Sequence, residues 1–235
     1  MIAENVQHVR ERIQKACERS KRDPQSVRLI AVTKTFDASK VRAAVESGIR
    51  EFGENFVQEL REKRAELSDP AIRWHFVGHL QSNKVKYIAD FIHLIHSVDH
   101  QSVAEEIGKR GAKAGRIIDA LVEVNTSGEQ TKFGLKPEEA VEFVKSIGAL
   151  KNLRLKGLMT IGPFLPDPED SRPTFQRLRR LRDEIQDAGI GNVEMTDLSM
   201  GMTHDFEVAI EEGATMIRIG TAIFGPRQRV DSSAN

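Results

Sequence analysis

The chain has 235 residues, of which 39% are hydrophobic, and its 35 lysines and arginines equal its 35 aspartates and glutamates in number. This length suffices for a large core, and we expect residues 1–235 to form a single domain. The zero net charge gives no electrostatic reason to expect nucleic acid or an acidic membrane surface as a partner, and no apolar run approaches the roughly 18 residues of a spanning helix.

The first predicted element is a helix over about residues 3–20. Its apolar residues recur at spacings of three and four, which places them on one face: Val6, Val9, Ile13, Ala16 and Cys17. We interpret Cys17 on this face as a small buried hydrophobe rather than a nucleophile. The segment is charged from residue 4 onward and has no apolar run of a signal peptide. Since a lone cysteine also suits a reducing compartment, we expect a cytoplasmic protein.

Eight apolar runs rich in β-branched residues follow, separated by helical patterns. They lie at 27–34, 51–55, 73–79, 91–99, 118–125, 153–161, 193–201 and 215–225. Apolar strands that alternate with helices favour a parallel sheet covered on both faces, and eight such units favour an α/β fold, the (β/α)8 TIM barrel, here with an additional N-terminal helix. A doubly wound open sheet is the alternative. Residues 162–172, with three prolines, predict a stiff loop over the barrel mouth, and residues 227–235 predict a frayed tail.

Polar residues at the carboxyl ends of the predicted strands are the candidate site, because these ends meet at the active face of a barrel. Lys34 ends the first strand, where a lysine is most often a solvated charge. The segments after strands seven and eight are the usual place of a barrel's phosphate site. They offer hydroxyl groups and glycines that let backbone N–H groups approach an anion: Ser199, Gly201, Gly220 and Thr221. Helix capping by Thr203 is the alternative explanation of part of this pattern.

Other candidate side chains lie within the predicted strands. Arg218 has the parity of Gly220, so both face one side, and a buried arginine needs a partner. That partner is either a barrel carboxylate or a ring nitrogen or oxyanion in the mouth. Met159 near the mouth of strand six packs in the core or against a flat ring. His75 and His79 share a strand face without a third ligand, and CxxC and HExxH motifs are absent, so we expect no metal site.

A lysine, a phosphate cradle and an arginine in one barrel mouth together describe a pyridoxal 5'-phosphate site. Lys34 would form a Schiff base with the aldehyde, the glycine clusters would hold the phosphate, and Arg218 would face the pyridine nitrogen. Burial at the strand end would lower the lysine pKa from about 10.4 and expose the free amine.

Several segments resemble the single-domain pyridoxal phosphate homeostasis proteins, which are related to the N-terminal barrel of alanine racemase. They are "IAVTKTF", "FGENFVQE", "WHFVGHLQSNK", "KFGL", "GLMTI" and "LSMGMTHDFEVAIEEGATMIRIGTAIFG". The resemblance runs from about residue 27 to 225. It implies that Lys34 carries the cofactor, that Arg218 lies at the ring nitrogen, and that the phosphate is bound by the following residues: Ser199, Gly220 and Thr221.

The same resemblance implies that Asn55 lies near the cofactor and that Lys132 is a secondary acceptor of the aldehyde. The alternative for Lys132 is an exposed loop lysine without such a role. One departure is Asp37, where relatives often have proline. It predicts a less rigid loop after Lys34 and a changed rate of cofactor exchange.

Two functions remain open, and the sequence favours the first. In the first, the protein carries pyridoxal phosphate and hands it to cofactor-free enzymes, with no catalytic residue of its own. In the second, it is an amino-acid racemase, which needs an acid or base on each face of the substrate adduct. The only tyrosine, Tyr87, follows strand three, and the chain ends after the barrel. Arg218 also makes the ring a poorer electron sink than a carboxylate would. A phosphosugar enzyme that uses Lys34 on its substrate is a weaker third alternative. We expect a monomer with pyridoxal phosphate as its ligand.

Overall fold

Parallel strands close into a barrel in the computed structural model, which describes residues 1–129, 131–191 and 193–226. In chain order they are β1 (Arg28–Val32), β2 (Glu51–Glu54), β3 (Arg73–Phe76), β4 (Leu94–Val98), β5 (Ile118–Glu123), β6 (Leu153–Met159), β7 (Val193–Ser199) and β8 (Met216–Ile219). Each strand pairs with the next in parallel, and β8 pairs with β1, so that Ile30 lies opposite Arg218. The closed barrel confirms the predicted fold, and the open-sheet alternative is wrong.

Helices follow the strands and cover the outside of the barrel. They are α1 (Ile2–Arg19), α2 (Ala38–Glu46), α3 (Val57–Glu66), α4 (Ser82–Val85), α5 (Gln101–Lys113), α6 (Pro137–Ile147), α7 (Arg172–Asp187), α8 (Phe206–Glu211) and α9 (Thr221–Phe224). The additional helix α1 is present, and its apolar face packs against α8 and α9. Within the described ranges, no helix is both long and apolar enough to cross a bilayer. The predicted frayed tail, 227–235, lies outside the described residues.

The predicted eighth strand is too long. It was expected over 215–225, but β8 ends at Ile219 and the short helix α9 begins at Thr221. The backbone N–H groups of Ile223 and Phe224 both donate to the carbonyl of Gly220 at 3.0 Å. Ile223 and Phe224 are buried, and apolar residues in a short run do not distinguish a strand from a buried helix.

The interior of the barrel contains one apolar layer with polar residues at both ends. The layer consists of Ile30, Leu94, Leu121, Met159 and Met216, which pack together and are at most 3% exposed. Side chains of alternate strand residues face this interior. The layer therefore closes the floor beneath the carboxyl ends of the strands, where the candidate site lies.

Candidate functional site

A cavity of about 530 Å³ opens at the carboxyl ends of the strands. Five of the predicted site residues line it: Lys34, Asn55, Arg218, Gly220 and Thr221. Much of the remaining wall is apolar and includes Val32, Phe36, Val77, Ile161 and Phe164. Its volume and its few polar groups in an apolar wall are typical of a site for a small ligand.

The turn that carries Lys34 follows β1 directly. Lys34 is half-buried, and Thr35 after it has a φ of 69°, a left-handed conformation that is unusual for a β-branched residue. The backbone N–H of Thr35 donates to Oε2 of Glu59 at 2.8 Å, and the N–H of Phe36 donates to the carbonyl of Thr33 at 3.1 Å. The turn is thus held by α3, because Glu59 lies on that helix.

A buried ion cluster fixes the same turn from below. The ammonium of Lys63, also on α3, lies 2.6 Å from Glu54 Oε1 and 3.1 Å from Glu59 Oε2. It also donates to the carbonyl of Thr33 at 2.7 Å. Lys63 is 5% exposed and Glu54 is fully buried. Because buried charges need such partners, Glu54 at the strand end is a structural residue that positions the lysine turn.

Asp37, the departure from the family pattern, begins α2. Its Oδ1 accepts from the backbone N–H groups of Ser39 and Lys40 at 2.9 and 3.2 Å and from the Ser39 hydroxyl. The hydrogen bond from Ser39 is the main reason that the pKa of Asp37 is lowered. An N-cap of this kind fixes the entry of a helix. The expected loss of rigidity in this loop is therefore opposed by hydrogen bonds that proline could not accept.

Arg218 extends from β8 into the cavity, where hydroxyl and carbonyl oxygens are its hydrogen-bond partners. Its Nη1 donates to Ser199 Oγ at 2.6 Å and its Nη2 donates to the carbonyl of Thr160 at 2.8 Å. No carboxylate oxygen of the described residues lies within 4.0 Å of it. Burial lowers its pKa to about 10, while the more distant Glu123 and Asp205 act in the opposite direction. Arg218 is therefore protonated at neutral pH, and the predicted alternative of a salt bridge is not observed in this part of the chain.

Two polar features of the wall fit a ligand that approaches from the cavity. The side-chain oxygen of Asn55 is buried and has no hydrogen-bond partner among the described residues. Gly220 has a negative φ of −110° and a Cβ placed on it would come no closer than 3.4 Å to Val32. Neither backbone strain nor packing requires glycine there. The backbone of Gly220 is instead open to close approach by a group in the cavity.

Met159 and Ser199 do not line the cavity. Met159 adopts the core-packing alternative of the sequence prediction, whereas the phosphate contact predicted for Ser199 is not supported. Met159 is fully buried in the apolar interior layer. Ser199 is also fully buried, and its hydroxyl contacts Arg218 at 2.6 Å and His96 at 2.9 Å. Each is the last residue of its strand. Ser199 therefore supports the guanidinium rather than facing a phosphate in this geometry.

Gly201 also lies behind the cavity wall. Its φ is +90°, and a Cβ there would lie 2.5 Å from the Cβ of Ala209 and 2.9 Å from the Cα of Phe206. Its carbonyl accepts the backbone N–H of Arg218 at 3.0 Å. Glycine is thus required for the tight passage from β7 to α8, and the predicted direct contact of Gly201 with a ligand is not supported.

Thr203, for which the sequence pattern predicts only a helix cap, is part of the cavity wall. Its hydroxyl accepts the backbone N–H of Ala222 in α9 at 3.4 Å. It stands beside Gly220 and Thr221 although it is far from them along the chain. The sequence feature that could have indicated Thr203 as a wall residue is its hydroxyl group, two positions beyond Gly201.

Lys132 lies beside the mouth but does not line the cavity. Its ammonium is 2.6 Å from Glu129 Oε1 and donates to the carbonyl of Gly162 at 2.9 Å. Its side chain is 21% exposed, so Lys132 is a partly buried, ion-paired loop lysine. Pro163 and Phe164, from the predicted stiff loop, do line the cavity.

Acidic side chains and histidines occupy the other half of the mouth. Glu123 is 4% exposed, and burial together with the nearby Asp99 carboxylate raises its pKa to about 7, against the effect of Arg218. His100 Nδ1 lies 2.7 Å from Asp99 Oδ1, and the ring of His79 stacks on Phe133. No three or more metal-ligating side chains among the described residues are placed to hold an ion.

The whole chain is similar to known proteins. The family model for the N-terminal domain of alanine racemase matches residues 4–228. A pyridoxal phosphate homeostasis protein of Aquifex aeolicus is 48% identical over 225 residues, which cover 96% of this chain and 98% of that protein. One of Pseudomonas aeruginosa is 42% identical over 227 residues and covers 96% of both chains.

Solved structures give the same result. PipY of Synechococcus elongatus, solved with pyridoxal phosphate bound, is 34% identical, has a TM-score of 0.83 and covers 96% of this chain and 100% of its own. An alanine racemase of Clostridium difficile is 15% identical with a TM-score of 0.76, and the match covers 97% of this chain but 58% of that one. The latter likeness concerns the fold alone. With full-length matches to curated relatives and to the family model, this chain belongs to the alanine racemase N-terminal domain family and, within it, to the pyridoxal phosphate homeostasis proteins.

Proposed function

We propose that this protein binds pyridoxal 5'-phosphate in the cavity at the carboxyl ends of the strands and takes part in the homeostasis of that cofactor. The observation that carries the proposal is the protonated, buried Arg218, which faces the same cavity as Lys34 and has no carboxylate within 4.0 Å among the described residues. The relatives' names and the bound ligand of PipY support the same assignment.

Different residues of the cavity wall bind different groups of the ligand. When bound, pyridoxal phosphate supplies an aldehyde that condenses reversibly with a primary amine. Lys34 is the amine, held at the mouth by its turn. Arg218 donates to the ring nitrogen, and the open oxygen of Asn55 accepts from a donor on the ligand.

The phosphate is bound at the start of α9. The backbone of Gly220, the hydroxyl of Thr221 and the hydroxyl of Thr203 line one side of the cavity. Backbone N–H groups and hydroxyls of this kind are suitable donors for a phosphate. Thr203 replaces Ser199 of the sequence prediction in this role, because Ser199 is turned toward Arg218 and His96.

The protein holds and releases the cofactor rather than turning over an amino acid. Arg218 keeps a donor on the ring nitrogen, so that this nitrogen carries no proton of its own and the ring accepts electrons poorly. Tyr87 is 38% exposed on the outside, where Arg61 and Lys86 lie over its ring, and it is not part of the wall around Lys34. The recipients would be cofactor-free enzymes.

Two assays on the purified protein test this proposal. Mixing the loaded protein with a cofactor-free enzyme should restore the activity of that enzyme. Incubation with a panel of amino acids in heavy water should show no exchange of the α-hydrogen. Exchange at about 1 s⁻¹ or faster, in the ordinary range of enzyme turnover, would instead establish a racemase-like enzyme, for which Glu123, with its pKa of about 7, is the group to examine.

Absence of both exchange and transfer would leave a role exerted by binding alone.

We also propose that the protein is a monomer of the cytoplasm. The buried thiol of Cys17, whose pKa is raised by burial, supports a reducing compartment as its location.

A further inference from the structure

A line of buried polar side chains runs through the interior of the barrel and ends at Arg218. His75 Nε2 lies 3.0 Å from Glu51 Oε2, His75 Nδ1 lies 2.9 Å from His96 Nε2, and His96 Nδ1 lies 2.9 Å from Ser199 Oγ. Ser199 Oγ in turn accepts from Arg218 Nη1 at 2.6 Å. The line begins with Glu51 at the start of β2 and ends in the cavity, so it joins the two ends of the barrel.

The charge state of each member is set by its surroundings. Burial lowers the pKa of both His75 and His96, which are fully buried, so both rings are neutral at pH 7. Burial opposes ionisation of Glu51, but the hydrogen bond from the neutral His75 ring and the positive charge of Arg28 act against it, and the carboxyl pKa is lowered to about 2. A neutral ring has one N–H and one acceptor nitrogen, and an ionised carboxylate only accepts.

These states give the line one direction. The carboxylate of Glu51 requires the proton of His75 on Nε2, which leaves Nδ1 as an acceptor. His96 must then carry its proton on Nε2, and its Nδ1 accepts the hydroxyl proton of Ser199. The Ser199 oxygen is left to accept from the guanidinium of Arg218.

The opposite direction would place two acceptors against each other. A bare Nε2 of His75 would face the carboxylate of Glu51, and neither His75 Nε2 nor Glu51 Oε2 makes a hydrogen bond of good geometry to any described residue. The two atoms lie 3.0 Å apart but do not meet the geometry of a good hydrogen bond. A proton on Nε2 makes this contact attractive, whereas a bare Nε2 would make it repulsive. An unsatisfied buried pair would cost more than the bent contact.

We propose that Glu51, His75 and His96 are positioning residues that orient Ser199 and through it hold the guanidinium of Arg218 in the cavity. Hydrogen bonds that point one way along a chain polarise and strengthen one another, so the anion at the bottom makes the Ser199 oxygen a better acceptor at the top. The proposal rests on the proposed function only for the identity of the ligand that Arg218 meets. It explains why two histidines are fully buried inside the barrel.

Burial is the main reason that both rings are neutral; the surrounding arginines add to it, and Glu51 opposes it at His75. Arg28 and Arg73 face His75 in addition to Glu51, and Arg28 and Arg218 face His96. His93, whose ring lies 5.3 Å from that of His75, is itself held neutral mainly by burial. We therefore expect the tautomers to persist across neutral pH rather than to switch.

The first test uses the protein without cofactor. Nitrogen-15 NMR of the histidine rings should find His75 and His96 as Nε2–H tautomers, and the guanidinium protons of Arg218 should exchange slowly with water. Glu51→Leu should speed that exchange by about two- to thirtyfold, the range of coupling through such networks. The matched control is Asp119→Asn, which removes a carboxylate paired with Arg154 at the same end of the barrel but outside the line.

The second test adds pyridoxal phosphate. Glu51→Leu should weaken its binding by about two- to thirtyfold and shift the visible absorption of the bound ligand, whereas Asp119→Asn should change neither. Borohydride should still fix the ligand on Lys34 in both variants. If Glu51→Leu does not fold, Glu51→Gln, which keeps the volume but loses the charge, should give mixed tautomers of His75.

The outcomes separate this proposal from the proposed function. An Nδ1–H tautomer at either histidine, or equal exchange of Arg218 in Glu51→Leu and the control, would overturn the positioning role. If the wild-type protein does not bind pyridoxal phosphate, the proposed function is wrong. The positioning role of Glu51, His75 and His96 is then decided by the NMR test alone. Binding that is equal in all variants would also refute the role of the line.

Discussion

At the scale of single residues, the cavity is defined by two cations with different tasks. Lys34 is half-buried at the mouth, where a primary amine can react. Arg218 is 5% exposed at the floor and held by Ser199 and Thr160. A guanidinium stays protonated in proteins, whereas a lysine amine can lose its proton and react. Lysine and arginine therefore cannot exchange roles at these two positions.

We predict that Lys34→Ala abolishes the visible absorption band of the loaded protein and borohydride fixation at residue 34. The amine is then absent from the cavity wall, although the phosphate donors remain. Peptide mapping after reduction checks the result, with Lys132→Ala as the control because Lys132 stands outside the wall in an ion pair. Full fixation on another lysine in Lys34→Ala would show that the assignment is wrong.

Thr203→Val and Thr221→Val should each weaken the binding of pyridoxal phosphate by about ten- to a hundredfold. A lost hydrogen bond to a charged group is worth about 1.5–3 kcal/mol. Titration of the stripped variants measures this. Thr126→Val, which loses a buried hydrogen bond to Thr160, is the matched control, and unchanged affinity in the Thr203/Thr221 double variant would remove the phosphate site from this side of the cavity.

Glu123 should make stability depend on pH. Its pKa is raised to about 7 by burial, so the folded state keeps a proton that the unfolded chain releases near pH 4.5. Its contribution is therefore fully present below about pH 4.5 and is lost as the pH rises through 7, by about 3 kcal/mol in total. Thermal unfolding from pH 5 to 8 should show a smaller decline in Glu123→Gln, and parallel declines would contradict the shifted pKa.

At the scale of elements, β1, β2 and α3 act together to place the lysine turn. Lys63 of α3 reaches back beneath β2 to Glu54 and to the carbonyl of Thr33. The turn after β1 is thus fixed by a helix more than twenty residues further along the chain. Sequence patterns locate each of these elements but not the ion cluster between them.

We predict that Lys63→Met lowers the free energy of unfolding by about 3–5 kcal/mol, because it leaves the buried Glu54 carboxylate without its cation. The double variant Glu54→Gln/Lys63→Met should recover most of the loss. Arg64→Met, on the exposed neighbouring position, is the control. Denaturant unfolding measures all of them, and additive losses in the double variant would show that the two charges are not coupled.

At the scale of the whole molecule, closure of the barrel brings polar residues from the first and last strands into one cavity. β8 pairs with β1, so that Arg218 lies opposite Ile30, and α1 covers α8 and α9 from outside. A ligand that bridges Lys34 and α9 therefore connects the first and last strands. Its binding should stabilise the entire fold, since closure of the barrel depends on that pair.

Pyridoxal phosphate at a hundred times its dissociation constant should raise the free energy of unfolding by about 2.7 kcal/mol through mass action. The increase in melting temperature should be smaller with pyridoxal, which lacks the phosphate, at the same concentration. Thermal unfolding with each ligand checks this. Equal stabilisation by the two ligands would argue against a phosphate site at α9.

The sequence by itself determined the barrel and the additional helix α1, because strand and helix periods are local patterns. Residue types at or near the strand ends indicated four of the wall residues, and the resemblance to the family indicated the fifth, Asn55. The sequence could not fix where β8 ends, because Ile223 and Phe224 are apolar in either a strand or a helix. Nor could it separate Thr203 from Ser199, since the layer that each residue occupies depends on how β7 is staggered against its neighbours.

Only the tertiary structure decided the contacts between distant residues. His75, His96 and Ser199 lie on three strands, and the two bonds between them span 21 and 103 residues of sequence. In the sequence, each of the three is a polar residue within a strand, and nothing local indicates its partner. Barrel closure alone places them in line with Arg218, because the strands' stagger, and not their composition, sets which side chains meet in the interior.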